Sequence, residues 1–119
     1  MVTNKFEREL LRGSLDLVVL SVLAGGGKKY GYLIQKEVRE ASSGRVDLAA
    51  GTLYPLLHRL EDDGLIRSSW DAGTGRERKW YELTAAGRKR LSAQAQEWAD
   101  YAACIRQLLA IAKVQPTYQ

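Results

Sequence analysis

Arg76, Arg78 and Lys79 fall within four positions, directly after the turn Asp71-Ala72-Gly73-Thr74-Gly75. Cations crowded at the tip of a glycine-containing turn suit contact with a polyanion, along a phosphate backbone or in a narrow groove. Earlier in the chain, Leu53, Leu56, Leu57 and Leu60 mark the inward stripe of a helix. Off that stripe lie Gly51, Thr52, Tyr54, His58 and Arg59. These side chains offer hydroxyl, phenol, imidazole and guanidinium groups to a partner. Set into a major groove, Arg59 would fork onto guanine, Thr52 and Tyr54 would reach phosphates or thymine methyls, and Gly51 would admit close backbone approach. Taken alone, His58, Arg59 and Asp62 are equally a solvated helix face, as are Arg88, Lys89 and Arg90. The order helix, turn, helix, basic turn ties the two groups together.

The inventory excludes most other chemistry. One His, one Cys, no G-x-S-x-G run and no His/Cys/Asp cluster at metal-ligand spacing leave no catalytic or metal centre to expect. Gly25-Gly26-Gly27-Lys28 lacks the first glycine of a P-loop, and Lys29 stands where Ser or Thr is needed. No enzyme activity, cofactor or metal is therefore expected. The single Cys104 forms no internal disulfide, which fits a reducing, cytoplasmic setting. The net charge of +4 permits a polyanionic partner without demanding one.

The elements that must position these residues read as mainly α with a small β-hairpin. A first helix is expected over 4–24, with Phe6, Leu10, Gly13, Leu17, Leu20 and Ala24 at helical spacing. That wide periodic face marks Leu15 to Ala24 as a core helix, not a signal peptide, and it is too short to span a membrane. Gly25-Gly26-Gly27 ends it. A second helix is expected over Gly31 to Ala41 and a third over Ala50 to Asp63, closed by Gly64. Pro55 leaves the start of the third helix open: either it begins near Ala50, or it begins at Pro55 with Thr52 to Tyr54 extended. Leu65 to Trp70 and Lys79 to Leu83 alternate as two strands around the basic turn, forming a wing. Thr84 is a good N-cap for a last helix running to about Lys113. Helix two, turn, helix three and wing together make a winged helix-turn-helix over 1–84, with a long helix over 85–119.

Several runs resemble the PadR family of bacterial transcriptional regulators. They are Leu11-Arg12-Gly13-Ser14-Leu15-Asp16-Leu17, Tyr30-Gly31-Tyr32, Gly51-Thr52-Leu53-Tyr54-Pro55-Leu56-Leu57-His58-Arg59-Leu60-Glu61 and Gly64-Leu65-Ile66. Gly75-Arg76-Glu77-Arg78-Lys79-Trp80-Tyr81-Glu82-Leu83-Thr84 and Gly87-Arg88 extend the match over essentially the whole chain. The length resembles the short subfamily, with one C-terminal helix. The resemblance implies a third helix that continues through Pro55 and turns Gly51, Thr52, Tyr54 and the wing cations toward DNA. Three residues depart from the family's pattern. Ala49 replaces a capping Ser or Thr, Glu77 a frequent Pro, and Glu82 a frequent basic residue; Glu77 would repel phosphate.

The last helix carries Leu91, Ala95, Trp98, Ala102, Ile105, Leu109 and Ala112 at alternating spacings of four and three, a heptad seam suited to a homodimer. Small Ala95 and Ala102 flank Trp98, and Leu10, Gly13 and Leu17 are the matching positions on the first helix. Two indoles across a two-fold axis would sandwich a planar aromatic compound; the other reading of Trp98 is core packing. Some short PadR-like regulators bind flat aromatics at such a Trp, so the resemblance points the same way. The expected whole is a ligand-responsive repressor that grips a two-fold DNA site as a homodimer. The alternative is a winged-helix protein–protein module that never touches DNA.

Overall fold

Four leucines, Leu53, Leu56, Leu57 and Leu60, are all buried on one side of a single helix. The computed structural model that shows this describes residues 5–71 and 78–116. Its elements are α1 (Lys5–Arg12), α2 (Leu15–Ala24), β1 (Lys29–Tyr30), α3 (Gly31–Ala41), α4 (Ala50–Asp62), β2 (Ile66–Asp71), β3 (Arg78–Leu83) and α5 (Ala85–Ile111). The core forms where α2, α3 and α4 meet one face of the sheet, with Val19, Leu20, Leu23, Ile34, Leu57 and Ile66 essentially sealed from solvent. Residues 15–24 are thus a core helix, as their periodicity predicts. Among the described residues, no helix is long and apolar enough to cross a membrane.

The expected single helix over 4–24 is corrected: it breaks at Gly13-Ser14 into α1 and α2. Glycine is the weakest helix former after proline, and the Ser14 hydroxyl competes for the backbone by donating to the Leu10 carbonyl at 2.9 Å. The ladder of α2 then starts at Ser14, whose carbonyl accepts from the Val18 N–H at 2.9 Å. At the other end of α2 the glycine run leaves helical geometry, with φ of 106° at Gly26 and 77° at Gly27.

The sheet also exceeds expectation. A two-residue strand, β1, adds to the hairpin and gives the antiparallel order β1-β3-β2. Lys29 pairs with Tyr81 and Tyr30 with Trp80, so β3 is central. Lys29 is buried; its ammonium pairs with Glu37 and donates to the Val22 carbonyl at 3.0 Å, supplying a cation to the last turn of α2. The β2–β3 register runs from Ile66 opposite Leu83 to Asp71 opposite Arg78.

Helix α4 runs through Pro55, which closes the question its sequence leaves open. Thr52 and Leu53 both donate to the Ala49 carbonyl, at 3.0 and 2.9 Å, so the first turn forms although Ala49 offers no side-chain cap. The helix ends in a paired closure: Leu65 N–H to the Leu60 carbonyl at 3.0 Å and Gly64 N–H to the Glu61 carbonyl at 2.9 Å. Gly64, at φ 76°, supplies the left-handed residue this requires.

Thr84 does cap α5: its hydroxyl accepts from the Gly87 N–H at 3.0 Å and donates to the Gly64 carbonyl at 2.7 Å. The beginning of α5 packs on α2 and β3, with Leu91 against the core. The rest projects as an arm. The radius of gyration is 16.6 Å. A compact chain of this length would have about 13.5 Å.

Candidate nucleic-acid interface

Opposite its leucine stripe, α4 presents Gly51, Pro55, His58 and Asp62 to solvent, with Thr52 and Arg59 on one flank and Tyr54 on the other. Gly51 has no heavy atom within 4 Å of where a Cβ would stand, so nothing in the chain's own packing requires a glycine there. His58 and Thr52 are exposed and point away from the body.

The two flanks differ. Arg59 folds back toward α2, where its guanidinium forks onto Asp16 with Nη2–Oδ1 at 2.7 Å and Nη1–Oδ2 at 3.3 Å. The hydrogen bond to Asp16 raises the Arg59 pKa above its ordinary value, against the opposing effect of burial. The fork expected to read guanine is therefore occupied by a carboxylate, and Arg59 instead ties α4 to the first turn of α2. Tyr54 leans the other way, onto the start of α3. A Cβ on Gly31 would lie 2.3 Å from the Tyr54 hydroxyl oxygen and 2.7 Å from Cζ, so only glycine admits that ring.

The wing meets α4 through β3. Arg78 lies over the Tyr30 ring at 5.0 Å from its centre, and Tyr30 meets Trp80 edge-on at 4.9 Å. Lys79 Nζ sits 5.8 Å from the Trp70 ring centre and 3.9 Å from Glu61 Oε1. Trp70 is 63% exposed on the same sheet face, a flat apolar plate beside a cation. Arg76, together with Glu77, lies outside the described residues. Between α4, the start of α3 and β3 runs an open groove of about 550 Å³. Tyr30, Gly31, Tyr32 and Tyr54 line one side, and Arg78, Lys79 and Tyr81 the other. Helix face, groove and β3 cations thus form one continuous surface.

The family model for the transcriptional regulator PadR-like family matches residues 19–93. The chain belongs to the PadR family. It is similar to a transcriptional regulator of Mycobacterium tuberculosis, 39% identical over 85 residues that span 71% of this chain and 76% of that one. A solved transcriptional regulator from Clostridium thermocellum matches with a TM-score of 0.76 and 31% identity, covering 83% of this chain and 96% of that chain. A PadR family transcriptional regulator from Eggerthella lenta matches with a TM-score of 0.73 and 37% identity, covering 85% and 82%. PadR-family proteins are DNA-binding transcriptional regulators, not enzymes.

Of the residues that resemblance carries, Gly51 and Thr52 are exposed on α4, Tyr54 leans onto the start of α3, and Arg78 and Lys79 line the groove beside it; of the two read from the helix face, His58 is exposed and Arg59 pairs with Asp16. Sequence reasoning assigned no site role to Tyr30, Tyr32, Trp70 or Tyr81. The strand alternation that pairs Trp70 with Lys79 could have found Trp70. Tyr30 had no such signal, because a strand as short as β1 has no period to read, whereas Tyr81 stands two positions from Lys79 on β3, where the same alternation applies. Of the departures from the PadR pattern, Glu82 is matched locally by Arg67, whose Nε donates to Oε1 at 2.9 Å.

The seam residues are split. Leu91, Trp98, Ala102 and Leu109 are half-buried within one chain, whereas Ala95, Ile105 and Ala112 are exposed. Leu17, on α2, is half-buried; Leu10 and Gly13 are exposed, and a Cβ on Gly13 would meet only the Glu9 and Leu10 carbonyls, at 3.8 Å. Among the described residues, no side chain comes within 4 Å of where that Cβ would stand.

Proposed function

We propose that this PadR-family regulator is a cytoplasmic repressor that works as a homodimer on a two-fold related DNA site. The observation that carries the reading is how exposed groups segregate. Tyr54 of α4 and the β3 cations Arg78 and Lys79 line one groove. Many exposed large apolar side chains lie elsewhere: Phe6 and Leu10 on α1, and Tyr101, Ile105, Leu108 and Ile111 along the arm, with Ile111 79% exposed. A monomer rarely presents such a stretch to water, and a second copy would cover it along a face of α5 that takes in the seam residue Ile105 and its neighbours Tyr101, Leu108 and Ile111. The reader, 1–84, would then be held by the arm, 85–119, at the spacing of successive major grooves, about 34 Å.

In this reading Gly51 lets the backbone of α4 approach base edges, while Thr52, Tyr54 and His58 contact bases or phosphates and Arg76, Arg78 and Lys79 hold backbone along the wing. Arg59 positions α4 against α2. The seam residues Leu91, Ile105, Leu109 and Ala112 carry the dimer. Trp98, half-buried with Ala95 and Ala102 one turn either side, would stack on a planar aromatic ligand, with Leu10, Gly13 and Leu17 supplied by the first helices. Such a ligand shifts DNA affinity only by its differential affinity for two inter-subunit arrangements.

A salt series on duplex from upstream of the protein's own gene tests the reading. Log affinity should fall linearly with log salt, by roughly 0.9 per phosphate contact. Absence of duplex binding even at low salt would favour the protein–protein module. For the ligand, planar aromatics should quench emission in wild type and not in Trp98→Phe; equal quenching in both removes Trp98 from the site.

A further inference from the structure

One stripe of α5 is withdrawn from solvent along its first half. Gly87 is buried, Leu91, Gln94, Trp98 and Ala102 are half-buried, and every other residue from 92 to 101 is exposed. Gln94 is thus the one polar member of a covered stripe, while its neighbour Ala95, on the expected seam, faces water. The Oε1 atom of Gln94 is sealed from solvent and accepts no hydrogen bond, the one side-chain polar atom so placed among the described residues. Other glutamine amides are engaged: Gln96 donates to Asp100 at 2.9 Å, and Gln35 to the Leu48 carbonyl at 2.8 Å. A buried acceptor without a donor is costly, and natural proteins hold few of them. Leucine at 94 would carry no such cost.

The placement of Gln94 says what a donor would belong to. Residues four apart on a helix share a face, so the carboxamide lies one turn from the Trp98 indole. An indole stacks on the face of a flat ligand and leaves its edge unread. The amide oxygen beside it has lone pairs and no proton, so it reads that edge for an N–H or O–H. Leu91, Gln94, Trp98 and Ala102 carry no charge. A carboxylate or ammonium lodged among them would lose its water without gaining an opposite charge.

We infer that Gln94 sets the class of ligand: an uncharged planar aromatic whose edge N–H or O–H donates to Gln94 Oε1 while its face stacks on Trp98. The inference rests on the reading of Trp98 as a ligand contact and goes beyond it by assigning the chemistry that this chain selects. Flat aromatics without a donor leave the buried acceptor unanswered and bind less well.

Matched pairs of compounds test it by equilibrium dialysis: indole with 1-methylindole, carbazole with 9-methylcarbazole, and 2-naphthol with 2-methoxynaphthalene. The wild-type preference for the donor member of a pair, divided by the preference in Gln94→Met, should be about tenfold, the scale of one buried hydrogen bond. Gln94→Leu gives the same ratio should Gln94→Met fold poorly. Without ligand, both variants should unfold in urea no earlier than wild type, since each removes an unpaired acceptor at similar volume. A clear loss of stability in both would show the amide already paired, by a second copy of the chain, and would overturn the inference. If the compounds bind wild type and weaken together in Trp98→Leu, but the ratio is unity in the Gln94 variants, the Trp98 site stands and Gln94 has no part in it. If no compound binds wild type, or Trp98→Leu binds them all equally well, the reading of Trp98 fails and this inference with it.

Discussion

Two glycines in helices show how differently one residue type serves this molecule. Gly51 has open space around it, whereas a Cβ on Gly87 would lie 2.0 Å from the Leu65 carbonyl oxygen and 2.7 Å from Leu83 Cδ1. Gly87→Ala should therefore lower stability by about 1–3 kcal/mol, because α5 must lift off the start of β2. Gly51→Ala should raise stability by about 0.5–1 kcal/mol through helix propensity while weakening DNA binding. Urea unfolding beside a duplex titration separates fold from function for both. A Gly51→Ala protein that gains stability and binds DNA normally would remove the close approach from the account. Tyr81 gives a further check. Its pKa lies above the ordinary tyrosine value of about 10, so the unfolded chain releases this proton first. Stability present at neutral pH should decline as pH rises past about 10, and Tyr81→Phe should decline less steeply over the same range.

Elements with strong periodic signals were legible in advance, and those built from distant pieces were not. The leucine stripe of α4, the stripe of α3, the alternation of the hairpin and the Thr84 cap all stand close to where their residues placed them. Pro55 could not be settled by propensity, since a proline within a helix and one at its start leave similar traces. The resemblance to PadR sequences pointed to the longer helix. The break at Gly13-Ser14 was hidden because an apolar face runs through it unbroken. The Asp16–Arg59 fork joins residues 43 positions apart, and the tyrosine groove joins three segments, so neither has a local spacing to betray it. One weak point is local and correctable. Ala49 has the extended backbone of an N-cap but no side chain to accept from α4. Ala49→Ser should stabilise the fold by about 1 kcal/mol, read as a higher thermal midpoint. No gain would mean that the first turn of α4 is already satisfied.

At the scale of the whole molecule, the shape itself argues for a partner. The chain extends over 60 × 31 × 22 Å because the arm leaves the body, and the arm carries apolar side chains that the body does not cover. The expectation is that Ile105→Glu with Leu109→Glu yields a folded monomer in sedimentation, with reader geometry kept and DNA affinity sharply reduced. A double variant that still sediments as a dimer would place the interface elsewhere. The central claim is that two readers, fixed by one seam, grip DNA together. Hydroxyl-radical footprinting on the DNA upstream of the gene tests it most directly. The account predicts two protected patches related by a two-fold axis and centred about 34 Å apart, one helical turn. A single unpaired patch, or no protection at low salt, would contradict it.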